Sequence, residues 1–300
     1  MLIITDLCKT YAEKKKQNTP ALDHVNLSIS SGMFGLLGPN GAGKSSLMRT
    51  IATLQKPDSG TITFAGENII QHPEFMRKQL GYLPQDYGVY PGVSAYELLD
   101  YLAKLKGVTD RKQRHAQIDK LLTQVNLIKH KNNAVSRFSG GMKQRFGIAQ
   151  ALLGDPKMLI VDEPTAGLDP EERNRFHNLL VEISRDKVVL LSTHIVEDVS
   201  HLCSNMAILA AGRIVKQGSP AQLIEQVKGK IWQIKTCKSN LEDIPPKAQV
   251  ISQRLFAGDA TIHVYSEHQP SADFHQVSPD LEDAYFTALH CHALDSQLNK

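Results

Sequence analysis

The pattern of apolar and polar positions divides this 300-residue chain into two textures. In the first, compact apolar runs end abruptly in glycine or acidic residues. MFGLLG runs into the glycine-rich GPNGAGKSS, and the segment SSLMRTIATL that follows reads as a helix. KMLIVDEP is a short continuous apolar run, the kind that forms a strand buried in a parallel sheet. A helical segment, EERNRFHNLLVEISR, separates it from a further apolar strand, VVLLST. Strand, helix and strand in that order predict a doubly wound α/β core.

Around this core, residues 2–8 and 25–30 read as short strands flanking the polar loop AEKKKQNTP. SGTITFAGENI alternates apolar and polar positions, as a hairpin strand does. From Ser94 to about Leu127 apolar residues recur three and four apart, predicting a largely helical subdomain. NMAILAAGRIVKQG reads as two strands joined at Ala211 and Gly212. The texture changes past about Lys228. IWQIKTC, QVISQRLF and TIHVYS read as strands between Pro- or Gly-bearing turns, and DLEDAYFTALH reads as a closing helix, together a small α+β appendage.

Composition narrows the classes of partner. An apolar fraction of 41% and a charged fraction of 22% are ordinary for a folded chain. A formal net charge of +3 and 6% aromatic residues give no reason to expect nucleic acid. The four cysteines (Cys8, Cys203, Cys237 and Cys291) include no CxxC pair, so reduced thiols are expected, with neither a disulfide framework nor a zinc site. No run reaches the ~20 apolar residues that cross a bilayer, and the N-terminus lacks the order of a signal peptide. The chain is therefore expected to be soluble, with no membrane span of its own.

The chemistry concentrates in a few places. Gly38, Pro39, Asn40, Gly41, Ala42, Gly43, Lys44 and Ser45 match the phosphate-cradling pattern G-x-x-x-x-G-K-[ST], with Ser46 following. Such glycines let backbone N–H groups turn inward on a phosphate, the lysine adds positive charge, and the serine hydroxyl suits Mg²⁺. Asp162, ending an apolar strand, is placed to orient a water ligand of the same ion, while Glu163 points elsewhere and is a candidate general base. His194 follows VVLLST and is expected at the same sheet edge. Taken singly, Gln85, His194 and Tyr11 carry little information. A second phosphate-facing helix start, RFSGGMKQR, stands about a hundred residues after the cradle.

Together these motifs resemble an ATP-binding cassette (ABC) ATPase, the nucleotide-binding subunit of an ABC transporter. FSGGM at 138–142 is close to the LSGGQ signature of that family, Gln85 stands where its Q-loop glutamine does, AGLD ends at Asp169 like its D-loop, and His194 matches its switch histidine. The resemblance covers roughly residues 1–220. It implies a P-loop NTPase core with an N-terminal antiparallel β subdomain and a helical signature subdomain at about 86–152, leaving 221–300 as a C-terminal accessory α+β domain. It further implies that Tyr11 stacks on adenine, that Gln85 touches the metal and the attacking water, and that His194 holds the γ-phosphate. Ser139, Gly140 and Gly141 would contact the ATP bound by a second subunit. Phe138 and Met142 depart from the usual leucine and glutamine, and the loop after Tyr11 carries Glu13 and Lys14 to Lys16.

The expected function is hydrolysis of ATP with Mg²⁺ by a pair of such subunits, most simply a homodimer, driving a separate transmembrane permease. The residues after Gln85, Asp86 to Pro91, are the expected permease contact. SPDLEDAYFTAL and YLPQDYGVYPGVSAYELLDYLAKLKG are similar to segments of bacterial exporter ATPases, which points to export and to a cytoplasmic subunit held on the inner face of the membrane through its permease. The competing reading is a non-transport ABC ATPase acting as an ATP-gated regulatory or binding module. One cassette, no coiled coil and near-neutral charge speak against it. A degenerate cassette is disfavoured by the intact Lys44, Asp162, Glu163 and His194.

Overall fold

The structure, a computed structural model, describes residues 1–11, 20–88, 91–237, 249–256 and 259–298. The Glu13 to Lys16 stretch, and Val89 and Tyr90 of the expected permease contact, lie outside these described residues. Strands β1 (Leu2–Thr10) and β2 (Pro20–Ile29) precede β3 (Gly32–Leu37) and helix α1 (Lys44–Ile51). Next come β4 (Ser59–Phe64), β5 (Glu67–Asn68), α2 (Pro73–Gln79) and β6 (Leu80–Leu83). The helical region holds α3 (Ala95–Leu105), α4 (Arg111–Gln124) and α5 (Gly140–Ala151). The chain returns through β7 (Met158–Asp162), α6 (Pro170–Ser184), β8 (Val188–Thr193), α7 (Val196–Leu202), β9 (Asn205–Ala210) and β10 (Arg213–Gly218). It closes with α8 (Pro220–Val227), β11 (Ile231–Cys237), β12 (Gln249–Phe256), β13 (Asp259–Tyr265), β14 (His275–Gln276) and α9 (Leu281–Leu298).

Three sheets result. An antiparallel sheet has the order β2-β1-β4-β5, and a six-stranded sheet has the order β10-β9-β3-β8-β7-β6, in which only β10 runs antiparallel to its neighbour. A third, antiparallel sheet runs β12-β13-β11-β14. The central strands are apolar throughout because they serve two cores at once. Side chains alternate across a strand, so Met33, Leu159, Val161, Val189 and Leu191 enter one core while Phe34, Met158, Ile160, Val188 and Leu190 enter the other. The first core continues under the helical region and on into α8 and α9, and α9 packs on α7, β9 and β10. The second core lies between the central sheet and the N-terminal antiparallel sheet.

The helices of the peripheral region begin where their side chains can satisfy the free N–H groups of a first turn. Ser94 and Glu97 form a capping box on α3, and Asp110 caps α4 by accepting from the Gln113 N–H at 2.7 Å. Ser219 and Gln222 form a second capping box on α8.

In the third sheet two polar links tie strands to α9 among the described residues: Arg254 to Glu282, exposed, and a half-buried one through His263. His263 Nδ1 lies 2.7 Å from Asp283 Oδ1, and its Nε2 lies 3.0 Å from Gln233 Nε2. The Asp283 hydrogen bond, with the charge of Asp283 behind it, holds the His263 ring above its usual value despite burial. A raised folded value means that the link stabilises fully below the unfolded value of about 6.5 and is lost as pH rises through the folded value. The melting-temperature advantage of the wild type over His263→Gln should therefore be largest at acid pH and shrink as pH rises past neutrality. An advantage that stays constant across that range in thermal melts would contradict the link.

Candidate functional site

The sheet order brings the candidate residues to one edge. Strands β3, β8 and β7 are parallel neighbours whose ends are level, with Leu37 opposite Thr193 and Asp162 opposite Ser192. Loops leaving the carboxyl ends of such strands meet in a crevice. Here they deliver the 38–45 loop, Glu163 and His194 together.

The 38–45 loop ends in α1, whose first turn has no acidic residue and whose cap, Gly43, offers no side-chain acceptor. The helix thus presents unclaimed N–H groups and the positive end of its dipole. Gly43 has φ +107°, and a Cβ there would stand 2.3 Å from the Ala21 carbonyl oxygen, so no other residue fits. Lys44 is buried, with Nζ donating to the carbonyls of Gly38 at 2.5 Å and Pro39 at 3.2 Å. Burial lowers its proton affinity, while the charges of Glu163 and Asp162 oppose that shift. Among the described residues it pairs with no carboxylate. A buried cation with only carbonyl partners is short of counter-charge, and an anion seated on the loop would supply it.

A cavity of about 380 Å³ opens here, lined by Ala21, Pro39, Asn40, Gly41, Gly43, Lys44, Ser45, Ser46, Gln85, Asp162 and Glu163. Asp162 is 8% exposed. Burial first, then the neighbouring Glu163 charge, raises it above the usual carboxylate range, with Lys44 opposing. A hard divalent cation at this oxygen-rich corner would reverse that cost, and the Asp162 carboxylate, the Ser45 hydroxyl and the Gln85 side-chain carbonyl are the donor types such an ion takes. The residues present therefore fit both a polyphosphate and Mg²⁺.

Glu163 is held from two sides. Gln85 Nε2 donates to Oε2 at 3.3 Å, and His194 Nδ1 lies 3.1 Å from Oε1. Its backbone takes a left-handed conformation, φ +45°, with its N–H donating to the Ser192 carbonyl at 2.8 Å. That turn breaks the strand line directly after Asp162, so the two acids diverge. Strain of this kind persists where surrounding contacts over-determine it, typically at working sites.

Other sequence-predicted residues stand outside the cavity. Tyr11 is exposed beside the loop, its hydroxyl donating to Gln55 Oε1 at 2.7 Å and lying 3.2 Å from Ser46 Oγ. Gly38 and Ala42 are buried behind the loop. Ser139 and Gly140 are exposed at the start of α5, where the Ser139 hydroxyl accepts the Met142 N–H at 3.2 Å. Gly141 is buried against Glu172, whose carboxylate would stand 2.2 Å from a Cβ there. Asp169 is exposed and caps α6 by accepting the Glu172 N–H at 2.8 Å. The structure thus gathers the cradle, Gln85, Asp162, Glu163 and His194, and leaves Ser139, Gly140 and Asp169 facing solvent.

The departures at 138 and 142 are matters of packing. Phe138 is buried edge-on to Phe146, with ring centroids 6.1 Å apart, and Met142 packs on the same core. One grouping was not anticipated from the sequence. Cys8, Asp23 and His24 offer ligand-type atoms within 4.8 Å of one another, although Arg213 already holds Asp23 and Asp6 holds His24.

Comparison with known proteins agrees with this geometry. The family described as ABC transporter matches residues 22–166. The uncharacterized ABC transporter ATP-binding protein YxlF of Bacillus subtilis is 33% identical, with 97% of this chain and 100% of that protein covered. The Nod factor export ATP-binding protein I of Rhizobium etli is 37% identical over 75% of this chain and 70% of its own length. ABC transporter A family member 8 of Dictyostelium discoideum is 36% identical over 84% of this chain, which spans only 30% of that longer protein. Among solved structures, an ATP binding subunit of an ABC transporter superposes with a TM-score of 0.65 at 30% identity, covering 75% of this chain and 92% of that one.

Proposed function

This chain belongs to the ABC transporter family, as an ATP-binding subunit that hydrolyses ATP, and we propose that it is the motor of an exporter. In this reading two copies close head-to-tail around two Mg·ATP, and closure and reopening drive a separate transmembrane permease. Residues 1–220 form the ATP-binding domain and 221–300 an accessory domain. The subunit works at the cytoplasmic face of the membrane, held there by its permease.

One observation carries the proposal. Lys44, Gln85, Asp162 and Glu163 line a single cavity, with His194 on Glu163, while Ser139 and Gly140 stand exposed and outside it. In this reading the exposed start of α5 is half of a phosphate site, and the ATP of a second copy completes it. Lys44 and the loop amides would hold the phosphates, Asp162, Ser45 and Gln85 would hold Mg²⁺, and Tyr11 would meet the adenine. When bound, the ion would offset negative charge on the phosphates. Glu163 accepts the proton of the attacking water, and Gln85 and His194 keep its carboxylate aimed.

Export is supported by the C-terminal segment SPDLEDAYFTAL and by the likeness to a protein named for Nod factor export. We propose a seat for the permease other than the Asp86 to Pro91 stretch expected from the sequence. A groove of about 580 Å³ lies between α2, α3 and the end of α5, lined in part by Leu54, Tyr82, Leu102 and Leu105. Leu54 is 65% exposed and Leu105 68%, and exposed apolar side chains grouped around a groove mark an interaction surface. No helix among the described residues is long and apolar enough to cross a membrane. Co-expressed with its permease, the chain should purify from membranes as a complex. Leu54→Glu with Leu105→Glu should lose that complex and keep ATP hydrolysis. A complex that survives both substitutions would move the contact elsewhere, and a chain that never joins any permease would favour the ATP-gated regulator.

A further inference from the structure

We infer that Asp198 is a positioning residue for ATP hydrolysis, fixing the loop after Glu163 against the helix after His194. The inference rests on the reading that Glu163 and His194 manage the attacking water. Asp198 lies in the first turn of α7, four residues past His194, and is 0% exposed. A carboxylate removed from water persists only when its oxygens are fully partnered. Thr165 Oγ1 donates to Oδ2 at 2.6 Å. Arg173 donates to Oδ1 through Nε at 2.9 Å and through its terminal nitrogen at 2.5 Å, and His177 Nε2 lies 3.0 Å from the same oxygen.

These partners come from one stretch of chain. Thr165 is two residues after Glu163 and only 4% exposed. Arg173 and His177 stand one turn apart on α6, on the same face, and α6 opens at Asp169. Burial keeps the His177 ring below its usual value although Asp198 opposes that, so the ring is a neutral donor and Arg173 supplies the neutralising charge. Within the loop, the Ala166 N–H reaches the Glu163 carbonyl and the Leu168 N–H reaches the Thr165 carbonyl. The loop thus coheres internally, and its side-chain anchor to α7 is the Thr165–Asp198 bond.

The consequence is geometric. Glu163 sits at one end of the anchored loop, in a strained backbone conformation, and His194 sits just before the helix that receives the anchor. Their contact of 3.1 Å joins two chain segments that depart from different strands. Asp198 closes a second bridge between those segments, which resists displacement of one relative to the other. A buried bond with no reach to substrate would in this way control the alignment of a base with its water, where displacement of about 1 Å costs up to ~100-fold in rate.

Thr165→Val keeps the volume and removes the hydroxyl, and Asp198→Ala removes the carboxylate that accepts from it. Steady-state ATP hydrolysis by Thr165→Val should show kcat lowered about tenfold or more with KM for ATP unchanged. Thr165→Ser, which restores the hydroxyl, should recover most of that loss. If Asp198→Ala folds, adding Thr165→Val to it should lower kcat no further, because each already removes the Thr165–Asp198 bond. Wild-type kcat in Thr165→Val would overturn the inference. So would a Thr165→Ser variant no better than Thr165→Val, or a KM that rises in step with the fall in kcat. A general failure of the functional reading is distinguishable, since Glu163→Gln would then also retain turnover.

Discussion

Glu163→Gln should bind ATP as the wild type does while turnover falls by roughly a hundred- to ten-thousandfold. The substitution leaves Lys44, the 38–45 loop and Asp162 untouched, so the phosphate cavity survives. The glutamine fills the same volume and still meets Gln85 and His194, which now touch Oε2 and Oε1 of Glu163 at 3.3 Å and 3.1 Å. What it loses is the ability to take a proton from water. With chemistry stalled, ATP stays bound and the pair of chains that it closes should accumulate as a stable dimer. Phosphate release measured beside size-exclusion chromatography in ATP reads both outcomes together. Hydrolysis at the wild-type rate would remove Glu163 as the base.

The α/β core was legible because its strands serve two cores and so admit almost no polar residue. KMLIVDEP and VVLLST became β7 and β8, and their parallel pairing brings His194 to the strand-end edge where Glu163 stands. The phosphate cradle was legible for a different reason. Its backbone geometry demands particular residues, as the fit of Gly43 against the Ala21 carbonyl illustrates.

Short elements escaped. α2 and α7 have seven residues each and α8 has eight, about two turns, too few for an apolar period to declare itself. β6 is a four-residue edge strand that makes sense only once β7 is beside it. The capping box of Ser219 and Gln222, with Pro220 at the first helical position, was the local signal that could have revealed α8. Long-range arrangements left no trace at all. Nothing in the spacing of Thr165, Arg173, His177 and Asp198 says that they converge. Nor does any local pattern announce that Glu163 adopts a positive φ. Tyr11 was expected on adenine by resemblance, and here its hydroxyl is tied to Gln55 beside the cradle.

The second large effect concerns the second phosphate-facing helix start, at Ser139. Ser139 caps α5 and is exposed, so substitution there leaves this chain's own cavity intact. In a closed pair, Ser139 and Gly140 would press against the ATP of the other copy, with Gly141 buried behind them and the dipole of α5 along the same line. Ser139→Arg puts a long side chain into that contact and should weaken ATP-dependent pairing on the order of a hundredfold or more, as a steric clash in a packed interface does. Hydrolysis should fall with it, because each site lacks its other half. Loss of the helix cap alone costs about 1 kcal/mol. Ser139→Ala, which loses the cap without adding bulk, should therefore pair far better than Ser139→Arg.

The decisive measurement combines the two substitutions in one chain. Glu163→Gln and Glu163→Gln/Ser139→Arg would be compared by light scattering in Mg·ATP, with bound nucleotide counted per chain. The single variant should be a dimer, and the double variant a monomer that still carries one ATP. A double variant that pairs as readily as the single one, or a monomer that has lost its ATP, would contradict a site completed by a second copy.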